Sequence, residues 1–240
     1  IEYLTHWKGV PMRIVYLTYW GTIGCRVLEW MVRNTDEEIV AVVSRPGPPG
    51  EAIKDIAFEH YLPLYQPPEN VNDPKFLSVL KALDPDLFIS VHHNGGALAR
   101  SSVPGTQVYY QHDDRQSRRL GGIMYEELFA AASEFPTAWV GNALDGVSTR
   151  LNDEGGDFYG IHRRTPGVTS LITEFLWLSN GAEARLLARD DVRDAEAQAL
   201  ARGIDRWYRT EHSGSGYLRP FVDTFDSGGG GFEGCIDPDL

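Results

Sequence analysis

The chain has 240 residues, 42% of them apolar, with 22 basic against 34 acidic side chains and a formal net charge of −12. This length and apolar content suffice for one full core. The acid excess excludes the clustered Lys and Arg that a nucleic acid or an anionic membrane surface requires. Two cysteines, Cys25 and Cys235, make neither a disulfide framework nor a zinc site, and no apolar run has the ~18 residues of a membrane span. A cytoplasmic protein with free thiols is expected.

Residues 1–11 read as an extension ahead of the first strand, Arg13–Leu17, a short β-branched apolar run. Ile23, Val27, Leu28, Met31 and Val32 recur at helical spacing. Ile39–Val43 is a continuous apolar run, the pattern of a parallel strand buried on both faces. The Pro- and Gly-rich stretch 45–50 is a loop, followed by a helix over Glu51–Tyr61 and a short strand at Leu64–Tyr65. Asp73-Pro74 opens a further helix with Pro in its first turn. Strands are then expected at Leu87–Val91 and Thr106–Tyr110. Farther on, Leu120–Ala132 reads as helix, Val147–Leu151 and Tyr159–His162 as strands, and Thr169–Leu178 and Asp190–Thr210 as helices. Residues 227–240 read as a flexible tail. The alternation of strand and helix through the first half argues for a doubly wound α/β domain.

Two strand ends carry the chemistry. One run ends in His92-His93-Asn94-Gly95-Gly96, the other in Tyr110-Gln111-His112-Asp113-Asp114. In open α/β sheets ligands sit outside the carboxyl ends of strands, so the two ends together suggest an active-site floor. No HxH, HxxxH or HxxE spacing marks a metal cluster among these residues, and no metal is expected. The first strand–helix turn, Thr18–Gly24, is not a GxGxxG fingerprint, and the second strand ends in Ser44-Arg45 rather than an acidic ribose ligand. A nicotinamide or flavin enzyme is therefore disfavoured.

The stretch Glu51–Leu77, with its "LP" strand, its "N-DP-F" helix start and the following Pro85-Asp-Leu-Phe-Ile-Ser-Val91, resembles the formyltransferase family. That family includes methionyl-tRNA and sugar N-formyltransferases. The resemblance covers about residues 12–165 and implies a Rossmann-like formyltransferase fold with a mainly parallel sheet. It divides the chain into the extension 1–11, an α/β domain 12–165, a helical C-terminal region 166–226 and the tail 227–240.

The resemblance implies N10-formyltetrahydrofolate as cofactor and a small-molecule amine as acceptor; no nucleic-acid or membrane partner is expected, and a homodimer is left open. His112, nine residues before Gly121, matches the family histidine, and Asp157 in Asp153-Glu-Gly-Gly-Asp157 matches the catalytic acid. Tyr110 stands where the family has Asn. The missing amide donor to the oxyanion would have to come from the Tyr110 hydroxyl or from Asn94. His92, His93, Gly95 and Gly96 fall on the segment that lies along the pterin, and Asp153 shapes the acidic loop. Two alternatives remain: a diverged folate- or nucleotide-binding protein without catalysis, and an unrelated α/β oxidoreductase.

Overall fold

The computed structural model describes residues 11–18, 21–67, 73–95, 105–136, 146–214 and 221–223. Gly96, Trp20, most of the expected extension and the expected tail lie outside them. In chain order the elements are β1 (Arg13–Leu17), α1 (Gly21–Asn34), β2 (Glu38–Val43), α2 (Pro48–Glu59), β3 (Leu64–Tyr65), α3 (Pro74–Ala82), β4 (Leu87–Asn94) and β5 (Gln107–Tyr110). They continue as α4 (Arg115–Ser133), β6 (Gly146–Arg150), α5 (Gly160–Arg164), β7 (Thr169–Trp177), α6 (Gly181–Leu187), α7 (Asp190–Arg209) and β8 (Phe221–Asp223).

The eight strands described form one sheet in the order β3-β2-β1-β4-β7-β5-β6-β8. Every neighbouring pair is parallel except β5–β7. Strands β1–β4 and β7 thus run one way and β5, β6 and β8 the other, with a single antiparallel joint. The α/β class and the mostly parallel sheet agree with expectation. The fold is not specifically the Rossmann-like formyltransferase arrangement, because β5 runs opposite to β4 and a late strand separates the two.

That late strand is β7. Its sequence, Thr169-Ser-Leu-Ile-Thr-Glu-Phe-Leu-Trp177, was expected to be helical and is instead central to the sheet. Leu171, Thr173 and Phe175 on one face and Ser170 and Leu176 on the other are all essentially unexposed. A strand covered on both faces loses the period-two alternation that would mark it in sequence. Ser170 is accommodated because its Oγ lies 2.8 Å from His162 Nδ1 and its amide donates to Ser117 Oγ at 2.9 Å. The segment expected as a strand at Tyr159–His162 is the start of the single-turn helix α5.

Helices cover both faces. Helices α4 and α7 pack against Leu87, Val108, Tyr110, Leu171 and Phe175, and α1 and α2 pack against Tyr16 and Val42. On the opposite face α3 and α5 bring Leu80, Leu77 and Ile161 onto Val15, Ala41, Val43 and Phe88. Local chemistry sets the helix starts. The Asp73 carboxylate accepts from the amides of Lys75 and Phe76 with Pro74 beside it, and Asp114 accepts from Ser117. The α4–α7 contact is close because α7 carries Gly203, where a Cβ would lie 2.7 Å from Met124 Sδ. Among the described residues no helix is long and apolar enough to cross a membrane.

Candidate active site

Side chains alternate faces along a strand, and laterally paired residues point the same way. Glu174 of β7 is paired with His92 of β4 on one side and with Gln107 of β5 on the other. An imidazole, a carboxyl group and an amide therefore form one row across the three central strands. One step up β4, the Asn94 side-chain amide donates to Gln107 Oε1. The Tyr109 hydroxyl donates to the same oxygen at 3.4 Å. A register shift between His92 and Asn94 pairs Asn94 with Trp177, and the Leu178 amide donates back to Asn94 O at 2.7 Å.

Glu174 is the unusual member of the row. Its Oε2 is enclosed with no hydrogen-bond partner among the described residues. Burial pushes its pKa up to about 8; the His93 charge opposes this shift and Glu196 reinforces it. The group can thus exchange a proton near neutral pH, the property required of a general acid or base. His92 is open to water at its residue surface, yet surrounding protein lowers its pKa, chiefly by desolvation. Its Nε2 lies 2.8 Å from Ser90 Oγ.

His93 faces the other way. Its Nε2 sits 2.9 and 3.2 Å from the two carboxylate oxygens of Glu196, a fully buried residue of α7. Burial alone would lower the His93 pKa, but the facing carboxylate outweighs it and the net shift is upward. The His93–Glu196 pair ties α7 to β4 beneath the row. Glu183 is similarly committed, accepting from the amides of Trp177 at 2.7 Å and Gly105 at 3.2 Å.

The two expected strand ends do not meet. Because β5 runs antiparallel to β7, Gln107 lies beside Glu174 while Tyr110 lies beside Leu171. Tyr110 and His112 therefore emerge where β4 and β7 begin, about 20 Å along the strand direction from Asn94 at ~3.3 Å per residue. A crevice shared by Val91 and Tyr110, with Asn94 serving His112, is excluded by this topology. At the far end His112 and Asp157 do come together: the His112 backbone amide donates to Asp157 Oδ1 at 2.7 Å. The imidazole itself lies 3.4 Å from the exposed Asp113 carboxylate. Burial raises the Asp157 pKa against the pull of the His112 amide. Tyr110 is part of the α4–α7 core, and burial raises its pKa.

Asp153 is exposed in a turn whose shape comes from Asn152 Oδ1, which accepts from the amides of Glu154 and Gly156, each at 3.0 Å. A Cβ on Gly95 would meet nothing within 4 Å among the described residues, so no close approach among them requires that glycine. Glu174 and Glu196 were not among the expected site residues. A lone carboxylate inside a nine-residue apolar, β-branched run was the available signal for Glu174, hidden by the helical reading of Thr169–Leu178.

The sequence profile described as N-acetylmuramoyl-L-alanine amidase matches residues 60–206, from the end of α2 through most of α7. Among solved structures, the CwlD amidase of Clostridioides difficile, determined in complex with the GerS lipoprotein, superposes with a TM-score of 0.52 at 18% identity. The match covers 77% of this chain and 84% of that one. An uncharacterised Bacillus subtilis protein, YqiI, is 29% identical over 129 residues, 51% of this chain and 52% of its own length. A methionyl-tRNA formyltransferase of Cyanothece sp. is 34% identical over 156 residues, 59% of this chain and 43% of its own length. The chain spans about half the length of the curated relatives it matches.

The amidase match overturns the expected formyltransferase membership. Formyl transfer, N10-formyltetrahydrofolate as cofactor and an amine acceptor fall with it. The non-catalytic folate- or nucleotide-binding reading and the oxidoreductase reading fit the match no better.

Proposed function

The chain belongs to the N-acetylmuramoyl-L-alanine amidase family, and on that premise we propose that it hydrolyses the amide bond joining an N-acetylmuramoyl group to L-alanine. The observation that carries this reading is Glu174, set in register between His92 and Gln107 with Oε2 unpartnered. Hydrolysis of an amide needs a group that first accepts a proton from water and then delivers one to a poor leaving amine. In its carboxylate form Glu174 takes a proton from water as the water oxygen adds to the amide carbon. It returns that proton to the alanine nitrogen as the C–N bond breaks, leaving a carboxylate on the muramoyl side and a free amine on the peptide side.

The Asn94–Gln107 pair has a second role in this reading. Gln107 Oε1 is occupied by two donors, so this reading assigns Asn94 Oδ1 to accept from the N–H of a bound amide. A peptidoglycan substrate would put the place of action at the cell wall rather than in the cytoplasm.

Zinc is typical of the family, but the described residues do not fit it as a resident ion. No group of three His, Cys, Asp or Glu side chains among them is placed to hold a metal, and His93 is engaged by Glu196. A catalytic zinc site ordinarily has three protein ligands and one open position.

The test is hydrolysis of a synthetic muropeptide containing the N-acetylmuramoyl-L-alanine bond, followed by the appearance of the free alanine amine. Wild-type protein releases it. Glu174→Gln reduces release by at least ~100-fold, the low end for a lost acid–base group. Equal activity in the two proteins would remove Glu174 from the reaction.

A further inference from the structure

We infer that Tyr159 is a further catalytic residue of the proposed amide hydrolysis, its hydroxyl donating a hydrogen bond to the substrate's carbonyl oxygen as negative charge builds there. The inference rests on the reading of the Glu174 end as the amidase site and adds a group to it. Addition of water to an amide carbon turns the carbonyl oxygen into an oxyanion, and a donor aimed at that oxygen lowers the barrier. In the proposed reaction Glu174 handles the proton of the water and Asn94 Oδ1 meets the substrate N–H, so neither serves the oxygen.

The sheet sets Tyr159 on the Glu174 face. Gln107 is the lateral partner of Glu174, and Tyr109, two residues on along β5, stands on the same face level with Ile172. The Tyr109 hydroxyl reaches back to Gln107 Oε1 at 3.4 Å. The Tyr159 ring packs on the Tyr109 ring with centroids 5.1 Å apart, and the His162 ring meets it edge-on at 6.1 Å. The backbone there is held as well. The Phe158 amide donates to Arg150 O at 2.8 Å and the Arg163 amide to Tyr159 O at 3.1 Å, while the Arg163 guanidinium donates to the carbonyls of Asp157 and Phe158. Tyr109 is buried, but Tyr159 keeps part of its surface open, where a substrate can meet it.

Arg150 makes this hydroxyl a donor. The buried Arg150 guanidinium lies 4.0 Å from the centre of the Phe158 ring and 5.8 Å from that of Tyr159. Burial pushes the Tyr159 pKa up and the Glu174 charge adds to the rise, while Arg150 and a hydrogen bond with Tyr109 oppose it. The net direction is upward, so the phenol keeps its proton at neutral pH. A phenol oxygen that accepts from a guanidinium still has that proton to give. In the free chain the neighbouring Tyr109 hydroxyl is a neutral acceptor for it. A carbonyl oxygen carrying negative charge is a stronger one. The bond to substrate therefore strengthens as the transition state forms, which is the condition for raising kcat. Glu174 is neutral once it has taken the proton of the water, so it does not repel the oxyanion.

The experiment compares the full chain with its Tyr159→Phe variant on the synthetic muropeptide. The substitution keeps the ring contacts with Tyr109 and His162 and removes only the hydroxyl. Expected is a fall in kcat of ~100-fold or more, the low end for a lost oxyanion donor. KM should stay within about threefold of wild type, because the bond is made in the transition state. A phosphinate analogue, with a tetrahedral P–O⁻ group in place of the amide carbon, is titrated calorimetrically into both proteins. Tyr159→Phe should bind it at least ~10-fold more weakly, the least expected for a lost hydrogen bond to a charged group. A variant with kcat within about threefold of wild type overturns the inference and leaves the amidase reading standing. Equal affinity of the two proteins for the phosphinate does the same. Absence of hydrolysis by wild type contradicts the amidase reading itself, and the inference falls with it.

Discussion

Glu174 and His162 are two buried titratable groups whose effects on stability run in opposite directions. Glu174 has its pKa raised from 4.5 to about 8, first by burial. Between those values the native state binds the proton and the unfolded chain does not, so stability falls as pH rises from 4.5 through 8. Glu174→Gln keeps the neutral shape and removes the titration. Its melting temperature relative to wild type should therefore climb across that window and level off above it. Thermal scans from pH 5 to 9 check this, and a constant difference would mean the carboxyl group is not desolvated in the native state.

His162 is the mirror case. Burial depresses its pKa from 6.5 to about 4, so its stabilising contribution is present above pH 6.5 and is lost as pH falls towards 4. His162→Gln should flatten the acid side of the stability profile. The His162 ring is fully buried with Nδ1 against Ser170, so the substitution should also lower stability at neutral pH by about 1–3 kcal/mol. Catalysis adds a third expectation. If Glu174 works as a base in its ionised form, kcat/KM for the muropeptide should rise with pH and reach a plateau above about 8.

At the scale of elements, two contacts decide whether the site holds together. The His93–Glu196 pair joins β4 to α7, and the α4–α7 packing fixes α7 itself. In that packing a Cβ on Gly203 would lie 2.7 Å from Met124 Sδ and 3.4 Å from its Cα, and Met124 is unexposed. Gly203→Ala should cost about 1–3 kcal/mol through overpacking, despite alanine's better helix propensity. Chemical denaturation measures it. A gain in stability would show that the two helices separate easily.

The same scale shows what the sequence revealed. Strands β1, β2, β3 and β4, and helices α1, α3 and α7, were legible because their apolar spacing and caps agree with their structure. Asp73-Pro74 shows this, with the Asp73 carboxylate capping α3 as its position before Pro implies. Strand β7 was not legible. A nine-residue strand with buried side chains on both faces carries no alternation, and Thr169–Leu178 has the length of a short helix as well as of a strand. With β7 misread, Glu174 went unseen and the antiparallel joint with β5 could not be inferred. His92, His93, Asn94, His112 and Asp157 were all recognised as chemistry-bearing, but strand direction separates the first three from the last two. Direction depends on long-range pairing, which no local pattern encodes.

For the whole molecule, the sheet places one cluster at each of its two ends. His92, Asn94, Gln107 and Glu174 gather where β4 and β7 finish, and His112, Asp113 and Asp157 gather where they begin. Both clusters contain a carboxyl group with a raised pKa. The amidase match runs through β4, β5 and β7, so it spans both ends and does not choose between them. The proposal made above takes the Glu174 end, because Glu174 has an oxygen without a partner among the described residues, between two polar side chains, whereas Asp157 receives the His112 amide as part of a turn. The most direct test compares Glu174→Gln with Asp157→Asn on the N-acetylmuramoyl-L-alanine bond. The result expected is a loss of at least ~100-fold in kcat for Glu174→Gln, the low end for acid–base catalysis, with Asp157→Asn within about threefold of wild type. Near-complete loss in Asp157→Asn with Glu174→Gln active would contradict it and move the active site to the opposite end of the sheet.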